Sequence, residues 1–153
     1  MTKERPAAPS SLDSSLDYVY VGVEDTSRSV AFYRDVLGAT VVWRFRRFGA
    51  DVAAIRLGAG PLLLLADHRP VPSVMPIYTV QDLAATMSSL AARGWKEAGP
   101  PMETPDGPAV TFRDPDGNPL AFLQRDGPEA MGKAFADPAN SSAVRDEPPA
   151  TPE

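Results

Sequence analysis

The residues able to do chemistry in this chain are few, and most of them sit at turns and strand ends. In "FRDPDGNPLAFLQ", residues 112–124, Asp114, Asp116 and Asn118 carry oxygen donors at the alternating spacing that opens a calcium loop. Such a loop needs Gly at its sixth position and a bidentate Glu at its twelfth. Counted from Asp114, those positions hold Pro119 and Arg125. Asp114, Asp116, Gly117 and Asn118 therefore read as turn chemistry that closes a hairpin. The single His, His68, enters a Pro-bounded loop and reads as a solvated side chain. With no Cys, thiolate nucleophiles, disulfides and Cys-based metal sites are excluded. The carboxylates Asp17, Glu24, Asp51, Glu97 and Glu103 fall at strand ends or in turns, unpaired, and read as surface acids. No catalytic residue is assigned from these patterns, and no cofactor is expected.

These groups are positioned by short, regular elements. "LDYVYVGVED" puts Val19, Val21 and Val23 on one face of a strand and Tyr18, Tyr20 and Gly22 on the other. "DTSRSVAFYRDVLG" follows as a helix with Asp25, Thr26 or Ser27 as N-cap, Val30, Phe32, Tyr33, Val36 and Leu37 as its apolar stripe, and Gly38 as its stop. "ATVVWRFRRF", "DVAAIRLG" and "GPLLLLAD" are three strands separated by Gly-containing turns. The pattern then recurs. "MPIYTVQD" is a strand, and "DLAATMSSLAARG" is a capped helix with Leu83, Met87, Leu90 and Ala91 inward. "PAVTFRDPDG" and "NPLAFLQ" close the set. At an offset of 57, Val23 matches Val80, Asp25 matches Asp82, Arg56 matches Arg113, Gly60 matches Gly117 and Leu63 matches Leu120. A β-α-β-β-β unit is used twice.

The 153 residues suffice for one domain. The expected body spans residues 15–126, with module one at about 16–68 and module two at about 74–125. Residues 1–14 are expected to be a disordered tail and residues 127–153 a mobile, Pro/Ala-rich one, both with little apolar periodicity. The formal net charge is -5. The body itself carries 11 Lys/Arg against 13 Asp/Glu, which argues against a nucleic-acid surface. "WRFRRF" accordingly reads as a half-exposed strand, with Arg44 or Arg46 available to an anionic or carbonyl-bearing ligand. No apolar run is long enough to span a membrane, and no signal-peptide h-region precedes the body. The expectation is a cytoplasmic protein.

"LDYVYVGVEDTSRSVAFYRDVLG", followed by a second unit ending in "FRDPDGNPLAFLQ", resembles the vicinal-oxygen-chelate superfamily of glyoxalases, extradiol dioxygenases and bleomycin-resistance proteins. The resemblance covers about Leu16 to Arg125. It implies an α+β fold of two βαβββ modules whose curled mixed sheets form a cup, completed by a homodimer. Metal-dependent members place His, Glu or Gln on the first and last strands of each module, because a divalent cation needs several N or O donors converging within about 2.0–2.6 Å. The matching positions here are Tyr18, Met75, Leu64 and Ala121, so no metal is expected.

Strand alternation assigns Tyr18, Tyr20, Leu62, Leu64, Met75, Ile77, Thr79, Ala121 and Leu123 to the concave face. Trp43 and Phe45 share a face whose direction alternation leaves open. The expected ligand-binding set is Tyr18, Tyr20, Trp43, Phe45, Leu64, Met75, Ile77, Ala121 and Leu123. Such a lining suits a flat, apolar, aromatic ligand. The first functional expectation is a metal-free, non-catalytic protein that sequesters a hydrophobic aromatic natural product, an antibiotic of quinone-like or enediyne type, in self-resistance. The alternative is a glyoxalase- or dioxygenase-like enzyme, a lyase or isomerase using Tyr18 or Tyr20 as acid. A partner-binding module with a filled cavity is the third.

Overall fold

The computed structural model of the chain describes residues 12–95, 100–125 and 129–145. The first module runs β1 (Ser14–Gly22), α1 (Thr26–Ala31), β2 (Thr40–Arg47), β3 (Ala50–Arg56) and β4 (Leu62–Ala66). The second runs β5 (Val74–Val80), α2 (Leu83–Ala92), β6 (Met102–Thr104), β7 (Gly107–Arg113) and β8 (Pro119–Gln124). A further helix, α3 (Ala130–Ala136), follows. The strands form one eight-stranded mixed sheet in the order β2-β3-β4-β1-β5-β8-β7-β6. Each module closes on a parallel pair, β1 with β4 and β5 with β8, and the modules join edge to edge through antiparallel β1 and β5.

Repetition at an offset of 57 appears in the backbone itself. Asp25 and Asp82 are the N-caps of α1 and α2, each extended and each accepting an N–H three residues on, from Arg28 and Ala85. Arg56 and Arg113 end β3 and β7. Gly60 and Gly117 both take a left-handed conformation, φ 113° and 90°, in the turns that follow. Val23 and Leu63 pack under α1, and Val80 and Leu120 pack under α2.

Both module helices lie on the same side of the sheet, over separate cores. Val30 meets Ala53, Ile55 and Leu65, while Leu83 and Leu90 meet Val110, Phe112 and Phe122. The expected stripe of the first helix holds only in part. After Ala31 the chain widens into a π turn, Phe32–Val36, which changes the angular advance per residue, so a 3.6-residue stripe does not carry through it. Val30 is buried and Tyr33 half-buried, whereas Phe32, Val36 and Leu37 are exposed. In α2, Ala91 is likewise exposed rather than inward.

The other side of the sheet carries no module helix. Here the expectation of a mobile tail over residues 127–153 is corrected for residues 129–145. α3 lays Met131 and Phe135 against this face, and Phe135 makes an edge-on contact with Phe45 at 6.0 Å. Beyond it, Arg46 N–H donates to Ser142 O and Val144 N–H to Arg44 O, both at 2.8 Å, which ties the segment to the free edge of β2. An unpaired strand edge is a standing set of donors and acceptors, and this segment satisfies part of it. Most of the expected N-terminal tail, residues 1–11, lies outside the described residues. Among the described residues no helix is long and apolar enough to cross a membrane.

Candidate small-molecule site on the helix-free face

Two β-bulges decide what this face presents. In β1 the register against β5 slips between Leu16 and Tyr18, which makes Asp17 the extra residue. Leu16 then pairs with Tyr78, on the helix side, and Tyr18 with Ile77, on the open side. Strict alternation would turn Asp17 away with Val19; the bulge brings it to the face of Tyr18. In β2 a slip between Val41 and Trp43 brings both Val42 and Trp43 to this face.

All nine residues of the expected ligand-binding set share this one face. Tyr18, Trp43, Leu64, Met75, Ile77, Ala121 and Leu123 form a single buried cluster with Ala54, and Tyr20 and Phe45 pack against it. Trp43 and Phe45, whose direction alternation left open, therefore point to the side away from α1 and α2, their rings 5.6 Å apart. The nine are not equally accessible. Leu64, Met75, Ile77, Ala121 and Leu123 are buried floor. A cavity of about 610 Å³ opens between the sheet and α3, with Tyr18, Val42, Trp43 and Leu62 on one wall and Met131, Gly132 and Ala136 on the other. Asp17, Arg56, Arg125, Glu129 and Lys133 line it as well.

A polar cluster sits at one end of the cavity. The Tyr18 hydroxyl donates to Asp106 Oδ2 at 3.0 Å. Arg125 bridges two carboxylates, with Nε 3.6 Å from Asp106 Oδ2 and Nη1 3.8 Å from Asp17 Oδ2, and its guanidinium carbon lies 5.3 Å from the centre of the Tyr18 ring. Thr79 and Ser15 also donate to the Asp17 carboxylate. Burial, then the negative charge of Asp106, pushes the Tyr18 phenol far above its ordinary range, and Arg125 only partly opposes the shift. Burial also raises the Tyr20 phenol, against a lowering by Arg69. A phenol held in its neutral form is a poor proton donor, which weighs against either tyrosine as a catalytic acid.

The surface-acid reading fails for two carboxylates. Asp17 is held in the cluster just described. Asp51 is buried and takes a two-pronged contact from Arg44, 2.8 and 2.6 Å, with a third bond from Arg46 at 3.1 Å. Arg44 is therefore committed to the junction of β2, β3 and α1 and is not available to a ligand. Glu97 lies outside the described residues. Asp106 and Arg125 carry no local signal in the sequence: one sits in a two-residue turn between β6 and β7, the other just beyond β8. Only the curl of the sheet brings them to Tyr18, 88 positions from Asp106 in the chain.

The four positions that hold metal in metal-dependent relatives present a phenol, a thioether, an isobutyl and a methyl group: Tyr18, Met75, Leu64 and Ala121. This donor set does not fit a divalent cation, which takes imidazole or carboxylate oxygen. Among the described residues no group of three His, Cys, Asp or Glu converges elsewhere either. In the 114–118 turn, both Asp114 oxygens are taken by local donors. Oδ1 accepts the N–H of Asp116 and of Asn118, and Oδ2 accepts the Asn118 side chain. Those bonds, the Asn118 side chain first, hold the Asp114 carboxyl below the usual range. His68 is exposed and meets the Tyr20 ring edge-on at 6.1 Å.

The model of the Glyoxalase/Bleomycin resistance protein/Dioxygenase superfamily matches residues 15–122. No curated protein matches the chain in sequence. Solved structures do match in fold. Methylmalonyl-CoA epimerase from Mycobacterium tuberculosis superposes with a TM-score of 0.67 at 16% identity, over 79% of this chain and 95% of that one. A hypothetical protein from Bacillus halodurans C-125 gives 0.65 at 12%, over 75% and 96%. A Streptomyces coelicolor methylmalonyl-CoA epimerase variant in complex with 2-nitronate-propionyl-CoA gives 0.63 at 16%, over 76% and 100%.

Proposed function

Because this chain belongs to the Glyoxalase/Bleomycin resistance protein/Dioxygenase superfamily, we propose that it is a metal-independent small-molecule-binding protein. It sequesters a hydrophobic aromatic compound, antibiotic-like in character, between its sheet and α3. The observation that carries this reading is the cavity of about 610 Å³ walled by Trp43, Tyr18, Val42, Leu62 and Met131, with the charged Asp17, Arg56, Arg125, Glu129 and Lys133 also lining it, within the size range of ligand pockets that combine an apolar wall with polar groups able to orient a ligand. Burying roughly 400 Å² of apolar ligand surface gives on the order of 10 kcal/mol, and association costs return several. Capture in the micromolar range or tighter needs no covalent step. A homodimer belongs to the same reading, with the exposed Phe32, Val36 and Leu37 as part of the surface that a second copy covers.

The chain has two tryptophans, and Trp95 stacks on Phe112 on the opposite side of the sheet. A Trp95→Phe variant therefore leaves Trp43 as the single reporter of the cavity. Screening it against flat aromatic antibiotics by fluorescence, with mass analysis of the recovered compound, tests the proposal. Quenching that saturates near one ligand per chain, with the compound recovered unaltered, is the expected result. No quenching by any aromatic compound counts against it.

A second reading, a lyase- or isomerase-type enzyme acting on a small organic substrate, is favoured by the Asp17 carboxylate, which lines the cavity beside Tyr18 and Arg125 and places a base next to a cation. The epimerases among the fold neighbours are consistent with it. Mass analysis separates the two readings: turnover of the recovered compound favours the enzyme.

A further inference from the structure

Five charged side chains line the cavity between the sheet and α3: Asp17, Arg56, Arg125, Glu129 and Lys133. Four of them are paired. Arg125 meets Asp17 at 3.8 Å and Asp106 at 3.6 Å, and Lys133 meets Glu129 at 3.9 Å. Among the described residues the Arg56 guanidinium makes neither an ion pair nor a hydrogen bond. The repeat supplies an internal comparison. Arg113, its counterpart at the offset of 57, donates through Nη1 to the Gly117 carbonyl at 2.8 Å, in the turn after β7. Gly60 holds the same place in the first module, also with a left-handed φ. Arg56 makes no such bond there, and both residues line the cavity instead. One arginine is tied to its own turn; the other is exposed at a cavity wall.

The strands set what lies beside it. Ala54 joins the cluster of Trp43 and Leu64, and Ile55 packs under α1, so alternation turns Arg56 to the cavity side. Thr40 is its partner on β2, two residues before Val42. Leu62 adjoins Leu63, the partner of Ile55 on β4. An apolar wall and an uncommitted cation therefore stand side by side. Resting on the capture of an aromatic compound in this cavity, we propose that the ligand is an aromatic acid, its carboxylate held by Arg56 and its ring laid along Val42, Trp43 and Leu62. The guanidinium fork matches both oxygens of a carboxylate, and it is less strongly hydrated than an ammonium. A cationic ligand is the poorer match. It would have to compete with Arg125, Thr79 and Ser15 for Asp17, or with Lys133 for Glu129. An anion at Arg56 breaks no existing pair.

The test is an NMR titration of the intact protein with 2-naphthoate and with its neutral counterpart, 2-naphthamide. The acid should bind about fivefold more tightly at low ionic strength, and added salt should narrow the difference. The ratio of the two affinities is the readout, so a general change of fit cancels. Arg56→Gln should bring the ratio near one, and amide binding by that variant shows that its cavity is intact. Arg56→Lys, which keeps the charge and loses the fork, should retain part of the preference. Arg113→Gln removes the same charge from the second module and should leave the ratio in place. Equal binding of acid and amide overturns the proposal and leaves aromatic capture standing. So does a preference that survives in Arg56→Gln, or one lost equally in Arg113→Gln. Binding of neither compound overturns it too, and the Trp43 screen of aromatic compounds then decides whether capture itself survives.

Discussion

Replacing Tyr18 by Phe removes the donor that Asp106 Oδ2 holds at 3.0 Å and leaves a half-satisfied carboxylate beside an Oδ1 already without a hydrogen-bond partner among the described residues. Losing a hydrogen bond to a charged group in a shielded place costs about 1–3 kcal/mol, and chemical denaturation of Tyr18→Phe should return a loss of that size. The same variant should remove one late step from the ultraviolet phenolate titration, because the Tyr18 phenol is held far above its ordinary range. At Asp51 the sign is opposite. Burial alone would raise this carboxyl, but the Arg44 and then Arg46 contacts outweigh it and hold it below the usual value. A depressed folded pKa means stability that is full above the unfolded value, about 3.9, and lost as pH falls through the folded one. Denaturation midpoints measured from neutral pH into this acid range should therefore fall less steeply for Asp51→Asn than for the parent protein.

The behaviour of the face depends on α3. Phe135 is only half-buried, so Phe135→Ala should cost less than the 3–5 kcal/mol of a fully buried Phe, on the order of 1–2 kcal/mol. The backbone bonds of Ser142 and Val144 to β2 do not depend on that ring. The helix should loosen without the segment detaching. Trp43 emission, shifting to the red as water enters, is the readout. The elements that sequence made legible are those with a local cause. Both helix starts were legible, the first with Asp25, Thr26 or Ser27 as its cap, because a short polar side chain before an apolar stripe satisfies open N–H groups wherever it occurs. The structure assigns the caps to Asp25 and Asp82. The bulges at Asp17 and Val42 have no such cause: they are settled by pairing with another strand, so a period-two reading gave no sign that Asp17 joins the face of Tyr18. α3 was missed for a related reason. Seven residues with no acidic first turn and no buried position carry little helical signal, and its order comes from contact with Phe45.

For the molecule as a whole, the residues at the four metal positions make a clear expectation. Removing divalent ions with a strong chelator should leave Tm and the Trp43 response to ligand unchanged, and metal analysis of the purified protein should find no stoichiometric divalent ion. A chelator that lowers Tm by several degrees would remove the metal-independent reading. By itself the sequence determined the two modules, their order, the concave side of β1, β4, β5 and β8, and the absence of imidazole, thiolate or carboxylate at the four metal positions. These follow from residue type and short-range period, which the chain carries wherever it folds. Only the tertiary structure decided what the face became. The curl of one continuous sheet brought Asp106 and Arg125 to Tyr18, α3 covered part of an otherwise open cup, and the β4–β5 loop set Arg69 over Tyr20. Each is a meeting of residues far apart in sequence, fixed by closure of the sheet rather than by any local preference.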